Sequence, residues 1–410
     1  MRDDVSRFVQ EELAASGVAP VLCLLEESAA SRETAAGLEE DFVASELSQQ
    51  TALAIEAGEE GRPARLPPAV RYFPNLGLAY GTVTREGLAA LRRDDRVAEV
   101  TGAPRLFPIR PTRAAAAQLT QRLTWGISAL RVERLWKQGL SGAGVLVGHL
   151  DTGADGRHRT LRGAIEHFAE FDFLGRRVRP APDPHDTEAH GTHTAATIAG
   201  RQVGNKRHVG VAPGAKLASA IVIEGGDVLA RVLGGMDWAV GRGVRVLSMS
   251  LGFPGMWDDF RPLTVALRRR NVLPVFAVGN EGPGTSRSPG NYGVALSVGA
   301  TNARRRVAWF SSSQRFRRKV DPLVPDLVAP GVNVISARPG RGYQAMDGTS
   351  MATPHVAGLA ALLIEARPRV KVDRLERAIF ASCRRSAQMP PGRANRGMPD
   401  AVRALRELTS

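Results

Sequence analysis

The sequence predicts an α/β protein with a mostly parallel central sheet flanked by helices, preceded by a small α+β unit. Three observations carry that reading. From residue 123 onward, short apolar runs bounded by Gly or Pro alternate with helical patterns, as buried parallel strands and their crossover helices require. The runs are "GVLVGHL", "KLASAIVI", "RVLSMSLG", "VLPVFAVGN", "VALSVGA" and "DLVAPG", and helices such as "GTHTAATIAG" and "DVLARVLGGMDWAV" separate them. A chain of 410 residues with 43% apolar content can fill one large core and one small one. Only 5% aromatic residues, with 43 Gly and 26 Pro, indicate many tight turns and a core built from Val, Leu, Ile and Ala.

Residues 1–110 read as the small unit. A strand is expected in "VAPVLCLLEE", a helix through "AAGLEEDFVASELSQQTALAIEA", a strand in "LGLAYGTVT", a helix in "REGLAALRRD" and a strand in "RVAEVTG". Residues 111–122 follow proline, carry no periodic apolar positions and read as a linker. The remainder, 123–410, is the larger domain.

The net charge of +14 is unevenly spread, with −6 over residues 1–112 and +20 beyond them. Such a split suggests electrostatic docking of the two parts. The basic residues are almost all Arg, scattered through loops such as "NARRRVAWF" and without a nucleic-acid module, so nucleic acid is not expected as a partner. Cys23 and Cys383 form no disulfide framework. The N-terminus has no apolar signal region, and no run of 18 apolar residues occurs, so neither export nor a membrane span is expected and the location reads as cytoplasmic.

Four stations carry chemistry. "VLVGHLDTG" ends an apolar strand in Asp151, where the carboxyl ends of parallel strands collect active sites; a carboxylate capping the next turn would look the same. "AHGTHTAATIAG" places His190 at a helix start among small residues. His190 and His193 could instead be metal ligands, but no thiol or carboxylate pattern completes a zinc motif. "PVFAVGNEGPG" brings Asn280 to the end of a buried strand, where its amide could serve an oxyanion or tolerate a turn. "DGTSMATPHVAG" sets Ser350 at the N-terminus of an apolar helix, with Pro354 placed in its tolerant first turn. A helix cap alone would explain that serine. Acid, base, oxyanion donor and nucleophile in this order match the Asp–His–Ser order of subtilisin, and the α/β-hydrolase elbow G-x-S-x-G with its order Ser–Asp–His is absent.

With these motifs, and with "GVAPGAKL", "SMSLG", "GNEG", "SPGN" and "DLVAPG" in order, the sequence resembles the subtilisin-like serine proteases, the subtilases. The resemblance implies a serine endopeptidase with Asp151, His190 and Ser350 as its triad and Asn280 in the oxyanion hole. It implies that Ser250, Leu251 and Gly252 pair with an extended polypeptide substrate, and that Ala277, Val278 and Gly279 border the primary specificity pocket. Residues 1–110 resemble, more loosely, the inhibitory and chaperoning propeptide of such proteases, an intramolecular partner whose tail would cross the cleft. That domain, or a regulatory protein partner, is the expected means of control. Departures from the family pattern are Ala189 before the histidine and Arg159 in place of a proline. In the loop "GRQVGNKRHV", which binds calcium in many relatives, Arg201, Lys206 and Arg207 replace oxygen-bearing side chains, so no metal and no cofactor is expected. Arg287 falls near the expected base of the specificity pocket; it faces either solvent or an acidic side chain of the substrate.

Overall fold

The computed structural model describes residues 6–43, 69–103, 105–172, 174–225 and 227–410. Its strands, numbered in chain order, are Ala19–Leu25 (β1), Val70–Phe73 (β2), Leu78–Val83 (β3), Val97–Gly102 (β4), Phe107–Pro108 (β5) and Arg113–Ala117 (β6) in the N-terminal part. Beyond them come Leu146–Asp151 (β7), Ile165–Glu170 (β8), Lys216–Ile221 (β9), Val246–Met249 (β10), Leu251–Pro254 (β11), Leu273–Ala277 (β12), Arg287–Ser288 (β13) and Leu296–Thr301 (β14). The last are Gln314–Arg315 (β15), Leu323–Val324 (β16), Leu327–Pro330 (β17), Val334–Ala337 (β18) and Tyr343–Asp347 (β19).

Seven strands form the main sheet in the order β17-β14-β12-β10-β7-β9-β8, and every pairing in it is parallel. The two-residue period sorts its side chains between two cores. Val147, Leu217, Val246, Val275 and Val298 face the helices His190–Ala199 and Thr349–Ala366, whose Ala196, Ile198, Val356 and Leu359 complete that layer. Leu150, Ala218, Leu247, Met249 and Phe276 point the other way, onto Leu229, Leu233 and Met236 of the helix Val228–Gly241 and Leu263 and Leu267 of Arg261–Arg269. Burial on both faces explains why these strands read as continuous apolar runs.

The N-terminal unit is an antiparallel sheet in the order β2-β3-β1-β4. Val21, Cys23, Ala79 and Val83 face Val9, Leu13, Leu88 and Leu91 of its own helices, Arg7–Ser16 and Arg85–Arg93. Leu22, Leu78 and Phe73 join the outer core of the larger domain. Polar contacts at this seam run against the net charges. Asp237 accepts from the backbone N–H groups of Asn75 and Leu76 at 2.6 and 3.2 Å, Asp227 from Tyr80 and Arg71, and Asp259 from the Gly102 N–H at 2.7 Å. The acceptors are carboxylates of the basic part; the global charge split overlooks them because each aligns with donors only within hydrogen-bond reach.

Three local expectations change. The helix expected over residues 35–57 is, within the described residues, a short helix ending at Ala36 and a 3₁₀ turn Glu39–Asp41; residues 44–57 lie outside them. The stretch read as a linker contains β6, which pairs with β19 from Arg113↔Asp347 to Ala117↔Tyr343. Its alanines offer no periodicity, yet strand pairing through the backbone needs none. Pro354 is the sixth residue of its helix and so lies in the second turn. No described helix is long and apolar enough to cross a membrane.

Replacing Asp237 with Ala leaves two backbone donors without their acceptor, at about 1–3 kcal/mol. Faster amide exchange at Asn75 and Leu76 of the full chain is the expected outcome; unchanged protection there would refute the role assigned to Asp237.

Candidate active site

The site is assembled at the carboxyl ends of the parallel strands. Asp151 terminates β7, and the turn after it is held by Gly153 at φ 108°, a left-handed conformation that suits glycine. A Cβ on Gly191 would lie 2.0 Å from the Gly153 carbonyl oxygen, so the histidine helix approaches this turn as closely as backbone allows. Asp186 locks the two together, accepting from the Thr152 hydroxyl at 2.8 Å and from the Thr192 N–H at 2.6 Å.

That placement sets His190 Nδ1 2.6 Å from Asp151 Oδ1, with both side chains buried. The Thr152 N–H donates to the same carboxylate at 2.8 Å and the Thr194 hydroxyl at 3.2 Å. Burial alone would lower the His190 pKa, but the adjacent Asp151 carboxylate outweighs it and holds the imidazole above its ordinary value. Burial likewise opposes the ionised Asp151, and the His190 charge and hydrogen bond overcome it, keeping the carboxyl below its usual range.

Ser350 is the second residue of the helix Thr349–Ala366 and is fully buried. Its hydroxyl donates to the Ile109 carbonyl at 2.7 Å, while buried His190 Nε2 has no hydrogen-bond partner among the described residues. Asn280 turns its carboxamide oxygen toward the Thr349 N–H and hydroxyl, both at 2.9 Å, which leaves its NH₂ aimed at the cleft. There it donates to the Arg110 carbonyl at 2.8 Å. Because Pro354 has no N–H, it gives the Ser350 carbonyl no intrahelical donor, and the Ser250 hydroxyl reaches that oxygen at 3.5 Å.

The chain's own segment 107–109 occupies the cleft as an extended strand. Leu251 and Gly252 pair antiparallel with Pro108 and Phe107, and the Ser250 carbonyl accepts the Ile109 N–H at 3.0 Å. Ala277, Val278 and Gly279 are buried behind this edge, with Val278 C=O taking the Arg287 N–H at 3.0 Å. Arg287 does not face solvent. Its side chain is 14% exposed, is paired with Glu281 at 2.6 Å, and directs Nη1 toward the carbonyls of Pro108 and Gly252.

Asp151, His190, Asn280 and Ser350 are thus brought to one cleft. His193 is not: its Nε2 donates into the Val334 carbonyl at 2.9 Å, and burial lowers its pKa to about 3. Among the described residues, no three His, Cys, Asp or Glu side chains converge as a metal site. Ala189 leaves the histidine helix intact, and Arg159 lies over the Tyr343 ring, 5.2 Å from its centroid.

His149 is a residue the motifs did not single out. It lies two positions before Asp151, so it shares the same strand face, and hydrogen-bonds Ser219 at 2.9 Å and Thr194 at 2.8 Å. This second Asp–His–Ser grouping is sealed inside the sheet, with His149 and Ser219 at most 1% exposed, and Asp151 lies 3.9 Å away. It supports the Asp151 carboxylate through Thr194 and cannot meet a substrate.

Comparison with known proteins identifies the family. Residues 142–398 match the family model described as the subtilase family. The chain is 38% identical to M-protease of Shouchella clausii over 258 residues, covering 62% of this chain and 63% of that protein. It is 38% identical to Subtilisin Savinase of Lederbergia lenta over 251 residues, 60% of this chain and 86% of the relative. It is also 35% identical to the subtilisin-like protease PopC of Myxococcus xanthus over 339 residues, 72% of this chain and 69% of that one. With a buried Asp–His pair, a helix-start serine and a family match over well more than half its length, the chain belongs to the subtilase family of serine proteases.

Proposed function

We propose that this protein is a serine endopeptidase acting on polypeptides through an acyl-enzyme. The carrying observation is the peptide segment seated in the cleft with its carbonyls on Ser350 and Asn280. His190 Nε2 takes the Ser350 proton as Oγ bonds to the carbonyl carbon, and Asp151 holds the imidazole and its developing charge. Asn280 Nδ2 donates to the oxyanion. The C–N bond then breaks, the proton passes to the leaving amine, and water releases the acyl group by the same steps in reverse. Ser350→Ala removes the nucleophile, so labelling by a fluorophosphonate probe disappears and kcat falls on the order of 10⁶-fold. Asn280→Ala keeps labelling but lowers kcat about 10²- to 10³-fold, the range found when one such donor is removed from a subtilisin. Labelled Ser350→Ala protein would refute the assignment.

The N-terminal unit acts, in this reading, as an intramolecular inhibitor. Ser350 and Asn280 hold two successive carbonyls, Ile109 and Arg110, when reaction requires that one carbonyl meet both. The segment is therefore a substrate seated short of reaction. Autoprocessing cuts the Ile109–Arg110 bond, and mass spectrometry of the purified protein then shows a new N-terminus at Arg110. Cleavage elsewhere in 105–122 would refute this register.

Cleavage preference follows from the same segment. Leu106 and Ile109 are 4% and 1% exposed, whereas Phe107 is 49% exposed, so the cleft selects aliphatic side chains at the first and fourth positions before the cut. Glu281 neutralises Arg287, which removes the attraction for acidic side chains that an unpaired arginine would exert. Glu281→Gln unmasks it, raising the kcat/KM ratio for Glu over Leu before the cut by on the order of tenfold. A ratio unchanged in that variant would sink this account of selectivity.

In the loop expected to lack calcium, the Arg201 guanidinium donates to the carbonyls of Gly163 and Pro213, and Lys216 Nζ reaches Gly163 at 2.9 Å. The Arg201 side chain of that loop is committed to carbonyls of neighbouring segments, and its cationic charge beside the loop supports a calcium-independent reading. Excess EDTA leaves the unfolding midpoint unchanged; a drop restored by calcium would overturn the point.

A further inference from the structure

We propose that a cavity beyond the cleft binds acidic segments of the polypeptide substrate, downstream of the cleaved bond. The inference rests on the endopeptidase reading and adds a substrate class to it.

The cavity has a volume of about 750 Å³ and lies between the loop after Asp151 and the Pro339–Gly342 turn that precedes β19. Arg157, Arg159, Arg162 and Arg341 border it. Among the described residues, none of the four has a carboxylate within the 4.0 Å of an ion pair, and Arg159 bonds only the Tyr343 hydroxyl. Two carboxylates also line the wall, but both are committed to the fold. Asp155 accepts from the N–H groups of Arg157 and Gly340, and Asp186 from Thr152, Glu188 and Thr192. The guanidinium groups of Arg157, Arg162 and Arg341 are thus left as forked donors around a concave, solvent-exposed surface, where with Arg159 they concentrate positive charge and suit carboxylates in bidentate geometry.

Topology says what reaches the cavity. The segment crossing the cleft continues past the Ile109–Arg110 bond as β6, antiparallel to β19, with Ala117 opposite Tyr343. Its direction carries the next residue, Gln118, toward Gly342 and Arg341. Once the Ile109–Arg110 bond is cut, β6 is the new N-terminal segment and must leave β19 for a substrate to take its place; a substrate on that path delivers its ninth and later residues after the cut to the arginines. Asp or Glu there gains charge-assisted hydrogen bonds far from the triad, so it tightens binding without altering chemistry.

Two peptides test this, identical around an Ile–Arg bond and carrying either four Glu or four Gln from the ninth residue after the cut. The protein as purified is expected to cleave the Glu peptide with a KM about tenfold lower and unchanged kcat. The advantage should vanish in the triple variant R157A/R162A/R341A, whose cleavage of the Gln peptide stays normal, and should shrink at high salt. Equal KM values, an advantage that survives the triple variant, or an equal benefit from Glu placed before the cut would overturn the proposal; the last would reflect net charge alone. A second measurement separates it from the endopeptidase reading. Full-length Ser350→Ala, with its cleft still filled, should bind labelled hexaglutamate but not hexaglutamine by fluorescence anisotropy, and the triple variant should abolish binding. If neither peptide is cleaved and the protein takes no fluorophosphonate label at Ser350, the endopeptidase reading fails; hexaglutamate binding no tighter than hexaglutamine overturns the cavity proposal whatever the cleavage result.

Discussion

The arrangement depends on one buried contact, the 2.6 Å hydrogen bond between Asp151 and His190. An ionised carboxylate inside a protein is costly unless its partners are in place, and stripping a partner from such a pair costs about 3–5 kcal/mol. Everything around it supplies those partners. The sheet register sets Asp151 at the end of β7, the Gly153–Gly191 approach brings the helix onto it, and Asp186, Thr152 and Thr194 tie the turn to that helix. His149 closes the carboxylate off from behind through Thr194.

The cleft is built as the other half of that contact. Ser350 and Asn280 come from distant segments, yet Thr349 binds the Asn280 oxygen and so points its NH₂ at the position a substrate carbonyl takes. In the proposed mechanism that donor is oriented before any substrate arrives, which is the condition for electrostatic stabilisation without reorganisation. The chain fills this prepared site with its own backbone. Ser350 and Asn280 each hold a different one of two neighbouring carbonyls, Ile109 and Arg110, so the segment is not in the register that the proposed reaction needs.

Charge works locally throughout. The N-terminal unit is acidic and the remainder basic, yet the seam between them is made by Asp227, Asp237 and Asp259 of the basic part. Arg287 illustrates the same rule in the cleft, where Glu281 is its partner at 2.6 Å. Net charge sets long-range attraction, whereas a docked surface is decided by donors and acceptors within about 3 Å of each other.

Much of the fold and the main chemistry could be read from the residues. Buried parallel strands must be apolar on both faces, so β7, β9, β10, β12 and β14 appear as apolar runs, and the four chemical stations fall at their ends or at helix starts. Other features left no mark. β6 is an alanine run whose pairing depends on backbone donors that every residue carries, and the partner of Arg287 six residues away has no pattern that marks it. His149 looked like one more strand residue until β9 and the histidine helix placed Ser219 and Thr194 against its ring. Periodicity and motif order record which side chains a local element must bury or present. Which unlike groups meet across segments is set only when the sheet and its helices pack, because hydrogen bonds and ion pairs act over a few ångströms in space and not along the chain.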